Sequence, residues 1–261
     1  MKLSIITPSF NHAQYVEDTI QSVLHQTGVD VEHIVIDGGS TDGTTDILRR
    51  YPHLQWISER DKGQSQAINK GFARATGDIV AWINSDDYYA ENILSDVIEY
   101  FTVHPECSVL YGDIAYIDAA KRMRYILEGP SISYMSLIRD PDIIRQPSMF
   151  WRKSAMDAVG VLDEDLHVVM DFDFFIRLAK KFEYHYIPKT ISFFRDYSDN
   201  KTHALMKRQA LELFRLSLRY RILNVHLMKF LLGRFLDGCS DRNVFRLMMN
   251  PFRKGGTISH G

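Results

Sequence analysis

TGDIVAWINSDD, running from Thr76 to Asp87, carries the decision about the fold. Ile79-Val80-Ala81-Trp82-Ile83 is an uninterrupted apolar run of strand length, which predicts a strand buried on both faces. The run stops at Asn84-Ser85 and delivers two adjacent carboxylates, Asp86 and Asp87. Ligands of open α/β sheets bind outside the carboxyl ends of the strands. A carboxylate pair there suits a hard divalent cation, because Mg2+ is commonly held by one or two carboxylates together with substrate phosphates. The plainer alternative is a polar strand end that opens a turn, with Asp87 near a helix N-cap.

Two upstream segments repeat the pattern. Leu3-Ser4-Ile5-Ile6 predicts a strand that breaks at Thr7-Pro8-Ser9-Phe10-Asn11. Val16, Ile20, Val23 and Leu24 then recur at helical spacing between Tyr15 and Gln26. Val31, Ile34, Val35 and Ile36 predict a second buried strand ending at Asp37, after which Gly38, Gly39 and Gly43 permit tight turns. Thr41-Asp42 offers caps for the next helix. Trp56-Ile57-Ser58-Glu59 reads as a third short strand ahead of Asp61. Composition and spacing alone therefore reach a metal-assisted, nucleotide-binding α/β domain.

SIITPSFN, VIDGGSTDGT, ERDKGQSQAINKGFARATGD and INSDD, in this order and at these intervals, resemble the family 2 glycosyltransferases with the GT-A fold. The resemblance covers about Met1 to Thr202. It implies a Rossmann-like, mostly parallel central sheet flanked by helices, with a nucleotide-sugar half over 1–115 and an acceptor half over 116–202. A helical C-terminal extension over 203–261 would follow. It also implies a UDP- or dTDP-sugar donor, Mn2+ or Mg2+, and inverting transfer without a covalent intermediate. The chain lacks the membrane spans of a processive synthase, so single additions to a glycan or lipid-linked hydroxyl in cell-surface polysaccharide synthesis are expected.

By the same resemblance, Thr7, Pro8, Ser9, Asp37, Gly39, Asp61 and Asn69 line the base and ribose pocket. Asp37 could accept the ring N–H of a uracil or thymine. Asp86 would reach the ribose and Asp87 the metal. The family often has an acidic residue where Gln66 stands. Asp113 in Tyr111-Gly112-Asp113 could approach the donor sugar or pair within the core. Gln146, ahead of Pro147, could bond sugar hydroxyls or serve as a turn residue.

The base candidate lies in HVVMDFDFFIRLAKK. The family commonly has Glu-Asp here, with Arg six residues later. Met170 takes the Glu position, while Asp171 and Arg177 keep the spacing. The resemblance makes Asp171 the general base that an inverting transfer needs. Asp173 is the alternative base, and an N-cap is the structural alternative for Asp171. Relatives show Arg, then His two residues on, then Ser-Lys-Thr. Here Arg195 is followed by Tyr197 at the His position and Asn200 at the Ser position. The resemblance implies a lid that meets diphosphate through Arg195 or Lys201, and a solvated linker is the alternative.

Composition bounds the remainder. With 261 residues and 45% hydrophobic content, the chain can bury one large core. Its two cysteines, Cys107 and Cys239, lack metal-like spacing and read as free thiols of a reducing compartment. Ile5-Ile6 runs straight into Thr7-Pro8, unlike a signal peptide. The expected location is cytoplasmic or peripheral on the inner face of the plasma membrane. Charge is divided: 1–202 holds 20 Lys and Arg against 30 Asp and Glu, net −10, and 203–261 holds 11 against 3, net +8. Arg208, Arg215, Arg219, His226 and Lys229 share one helical face. Over 203–235 this reads as an anionic-membrane surface, with packing on the catalytic domain or a homodimer as alternatives. No aromatic stacking platform or known motif accompanies the charges, so no nucleic-acid partner is expected. Two other functions fit the sequence less well. A nucleotidyltransferase would need a Gly-rich phosphate loop that TPSFNHAQY lacks. A catalytically silent carbohydrate-binding or partner-binding module would not need Asp86, Asp87 and Asp171 together.

Overall fold

A computed structural model describes residues 1–140, 143–197 and 205–221. The chain divides into two compact units, Met1–Asn200 and Lys201–Gly261. In the first, β1 (Lys2–Ser9), β2 (Asp30–Asp37), β3 (Gln55–Ser58) and β4 (Ile79–Trp82) form a parallel block in the order β3-β2-β1-β4. Parallel neighbours need crossover connections. Here α1 (Val16–Leu24), α2 (Thr44–Leu48) and α3 (Gln64–Phe72) supply them. All four residues of β4 are buried, which is why its sequence is apolar without alternation.

Beyond β4 the sheet is mixed. β8 (Met149–Arg152) runs antiparallel to both β4 and β6 (Val109–Ile117). β9 (Tyr184–Arg195) lies parallel to β6, and the short β5 (Tyr88–Tyr89) pairs antiparallel with β9. β7 (Met123–Leu127) lies antiparallel along the far end of β6. Helices α4 (Ile93–Val103), α5 (Tyr134–Arg139), α6 (Lys153–Val159) and α7 (Met170–Ala179) complete the unit. The unbroken parallel block thus belongs to the first 82 residues, and beyond it β6 and β9 form the remaining parallel pair.

One strand boundary differs from expectation. β1 does not break at Thr7-Pro8 but continues to Ser9, with Pro8 opposite Ile36. The ladder to β4 ends at Ile6, and the Ile83 N–H bonds the Ile6 carbonyl. Pro8 would point its N–H to that same side, two residues further on. Its missing donor therefore removes no ladder bond. At the opposite end of the block, the buried Glu32 accepts bonds from Lys2, Ser4 and Thr76. Burial alone would raise its carboxyl, but these donors outweigh it and hold it down to about 2.

The core bears directly on the site. Trp82, the last residue of β4, lies 5.4 Å from Trp151 of β8 and 5.8 Å from Phe175 of α7. Phe72 of α3 and Phe174 of α7 join the same group. Large rings contribute heavily to core packing energy. This cluster fixes the strand that leads into Asp86-Asp87 against the helix that bears Asp171.

The second unit contributes α8 (Met206–Tyr220). Ala210, Leu213 and Leu216 are buried. Arg208, Arg215 and Arg219 are exposed, as are Leu211, Phe214 and Leu218. His226 and Lys229, with most of 203–235, lie outside the described residues. Among the described residues no helix is long and apolar enough to cross a membrane.

Candidate active site

The loop after β4 is held from several sides. Asn84 anchors it through Gln64, whose amide donates to the Asn84 oxygen at 2.8 Å. Ser85 bonds the His12 ring, and Thr19 donates to the Asp87 carbonyl. Asp87 is only 1% exposed. Its Oδ1 accepts the Arg195 backbone N–H at 3.0 Å, and its Oδ2 accepts from the Asn84 amide at 3.3 Å. Asp86 is partly exposed, and its Oδ2 accepts from the Tyr197 hydroxyl at 2.9 Å. Burial first, then the neighbouring charge of Asp86, push the Asp87 carboxyl well above the usual carboxylate range. A cation would relieve this repulsion between two adjacent carboxylates, one buried and one partly exposed. Among the described residues no cluster of three or more His, Cys, Asp or Glu forms. The protein would thus supply one or two carboxylates, a donor set that fits Mg2+ or Mn2+ completed by a diphosphate and water.

The expected nucleotide residues divide into two groups. Phe10, Gly38 and Asp61 stand together: a methyl on Gly38 would lie 3.0 Å from Asp61 Oδ2 and 3.3 Å from the Phe10 ring. The Phe10 ring is 59% exposed. Asp61 Oδ1 caps the Gly63 N–H at 2.8 Å. Gly39, at φ +86°, needs the left-handed conformation that lets the loop turn after β2. Ser9 ends β1 with its hydroxyl buried and without a hydrogen-bond partner. Pro8 is buried beside it.

The other group holds the fold. Asp37 is 0% exposed, and its oxygens accept from the Gly39 and Ser40 N–H groups and from the Ser40 and Ser58 hydroxyls. These bonds shape the loop after β2. Thr7 turns its hydroxyl to the buried His33 ring at 2.9 Å. Asn69 pairs in both directions with the Leu162 backbone and reaches Glu164. It clamps α3 to the segment entering α7. Gln66 likewise donates to Glu164.

The acceptor half is resolved by burial. Asp171 is partly exposed in the first turn of α7, where negative charge is favoured. Its Oδ1 accepts the Phe172 N–H. Asp173, the alternative base, is 1% exposed and bonded to Arg177 at 2.9 Å. Arg177 also donates to the carbonyls of Val159, Gly160 and Val161. Arg177, an acceptor or diphosphate candidate by the resemblance, is thereby committed to the fold, and the buried Asp173 carboxylate is held in the same ion pair. Asp113 accepts from Gly129 and from Tyr186, so it pairs within the core. The Gln146 amide nitrogen is committed to the Trp82 carbonyl at 2.7 Å.

Arg195 is corrected most. It is 1% exposed, not a lid residue. Its guanidinium bonds Asp18, the Ala119 carbonyl and the Asp86 carbonyl, and lies 4.5 Å from the Tyr15 ring centroid. Lys201 lies outside the described residues. Three features escaped the sequence reading: Phe10, Asn84 and the contact of Tyr197 with Asp86. For Tyr197 the signal was present, since it stands two residues after Arg195 where relatives have a potential ligand.

Asp86-Asp87 beyond the end of β4 and the partly exposed Asp171 on α7, which packs against that strand, form the centre of the candidate site. The chain belongs to glycosyl transferase family 2, whose family model matches residues 4–160. It is 40% identical over 146 residues to a putative teichuronic acid biosynthesis glycosyltransferase, TuaG, of Bacillus subtilis. That alignment covers 53% of this chain and 57% of the relative, so the chain spans just over half of that protein. It is 31% identical over 180 residues to a PGL/p-HBAD biosynthesis glycosyltransferase of Mycobacterium bovis, covering 67% of this chain and 68% of the relative. Among solved structures, S. aureus TarS 1-349 in complex with UDP-GlcNAc superposes with a TM-score of 0.64 at 20% identity, covering 96% of this chain and 77% of that one. This last likeness establishes the GT-A type of fold.

Proposed function

We propose that this chain transfers a single sugar, with inversion, from a UDP- or dTDP-sugar to a hydroxyl of a glycan or lipid-linked acceptor in cell-surface polysaccharide synthesis. The observation that carries this reading is the pairing of Asp86-Asp87 at the end of β4 with Asp171 on the helix packed against that strand. Asp171 accepts the proton of the acceptor hydroxyl as its oxygen attacks the anomeric carbon. Asp87 would hold the divalent cation and Asp86 the donor ribose, and the cation when bound would offset charge on the leaving diphosphate. Phe10 offers a ring face to the base beside Gly38 and Asp61. The relatives named for teichuronic acid and PGL/p-HBAD biosynthesis support the surface-polysaccharide class, and the UDP-GlcNAc bound by TarS supports a uridine donor.

A panel of UDP- and dTDP-sugars with Mn2+ tests the proposal through nucleoside diphosphate release and thermal shift. One donor should raise the melting temperature by mass action and release its diphosphate when an acceptor is added. No shift and no release across the panel would overturn the reading.

The location we propose is the surface of an anionic bilayer. On α8, Arg208, Arg215 and Arg219 form an exposed row beside exposed Leu211, Phe214 and Leu218. Apolar side chains entering an interface beside arginines that reach the headgroups is the pattern of a surface-lying helix. Liposome sedimentation should recover the protein with anionic but not neutral vesicles, and 1 M salt should release it as the Debye length falls to about 3 Å. Equal recovery in both supernatants at low salt, with a dimer by light scattering, would assign the face to self-association.

A further inference from the structure

We propose that Tyr197 is a positioning residue for the donor site, and that its hydroxyl fixes the rotamer of Asp86. This rests on the reading of Asp86 as a donor-site carboxylate and adds a residue to it. The Tyr197 hydroxyl donates to Asp86 Oδ2 at 2.9 Å, and among the described residues no hydrogen bond is made to Oδ1. A carboxylate bonded through one oxygen loses rotational freedom while keeping the other available to a ribose hydroxyl or a cation.

The phenol is itself held. Its ring lies 5.3 Å from Tyr15, tilted by 47°. On Tyr15 rests the guanidinium of Arg195, which the Asp18 carboxylate and two carbonyls secure. The end of β9 therefore grips both acidic residues. The Arg195 N–H holds the Asp87 side chain, its guanidinium holds the Asp86 main chain, and Tyr197 holds the Asp86 side chain. A tyrosine hydroxyl is protonated, and so can donate, throughout the neutral range. A bond to an ionised acceptor from a preorganised donor is among the stronger ones available.

The test is Tyr197→Phe, which keeps the ring and its contact with Tyr15. The probe is UDP or dTDP, whichever the parent binds more tightly, titrated calorimetrically with Mn2+ present. The variant should bind about 5–30-fold more weakly, as expected for loss of one charge-assisted bond. Donor KM should rise in parallel while kcat stays within about three-fold of the parent. In an Asp86→Asn background the same substitution should add less than about two-fold, because the bond partner is already altered. Binding within two-fold of the parent would overturn the proposal. So would an equal loss in both backgrounds, or a fall in melting temperature above about 5 °C, which would mark a merely structural role. If Asp86→Asn itself leaves nucleotide binding unchanged, the failure lies in the donor-site reading and not in the role of Tyr197.

Discussion

Asp171→Asn is expected to lower kcat by roughly 10²–10⁴ while donor affinity stays within a few-fold of the parent. Asn retains the size and an oxygen acceptor for the Phe172 N–H that Asp171 Oδ1 accepts, so the first turn of α7 should keep its geometry. What Asn cannot do is take a proton. The acceptor hydroxyl would then attack without a base, and the loss should appear in turnover rather than in nucleotide binding. The anomeric configuration of the parent's product should be inverted, because one direct displacement occurs. Two results would sink the assignment: normal turnover in the Asn variant, or retained configuration by NMR of the parent's product. A companion variant keeps the first result interpretable. Asp173→Asn should lose stability and fold poorly, since it leaves the Arg177 guanidinium without its buried ionic partner. It should not yield a stable, slow enzyme.

Much of this division was legible beforehand, and the rest was not for a physical reason. The parallel block follows from unbroken apolar runs, and β4 shows it: four buried residues, no alternation, then carboxylates. Asp171 stood out in sequence through the family resemblance, whose Asp and Arg lie six residues apart. Which of Asp171 and Asp173 stays partly exposed could not be read that way. It depends on Arg177 reaching back one helical turn and on three carbonyls at 159–161 receiving the same guanidinium. Asp37, Asn69 and Arg195 share this difficulty. Each has a side chain that suits a ligand equally well as it suits a loop, and only long-range contacts decide. Arg195 bonds Asp18, 177 residues away, and Asn69 bonds Leu162, 93 away. Pro8 misled in the other direction. Proline usually ends a strand, but here it stands where the adjacent ladder has already stopped, so no bond is lost.

Asp87→Asn should abolish divalent-dependent nucleotide binding and yet leave the metal-free protein as stable as the parent or more so. The Asn oxygen can still accept the Arg195 N–H that Asp87 accepts. The long 3.3 Å bond from the Asn84 amide to Oδ2 is lost, and the larger difference is charge. Burial and the neighbouring Asp86 raise the folded-state carboxyl of Asp87 well above its ordinary 3.8. A carboxyl with a folded value above its unfolded one binds protons more readily when folded. Its ionisation therefore opposes folding at neutral pH, and that opposition fades as pH falls toward 3.8. Without metal, the melting temperature of the variant should exceed that of the parent most at neutral and alkaline pH, and the gap should close on acidification. With Mn2+ and the preferred nucleoside diphosphate the order should reverse, because only the parent gains from binding. EDTA should remove that gain and most of the transfer activity together. A residue kept at a cost to the empty fold is the mark of a site built for a ligand rather than for packing. Metal-dependent nucleotide binding that survives in Asp87→Asn would place the cation elsewhere. A metal-free variant less stable than the parent at neutral pH would mean that the Asp87 charge supports the fold.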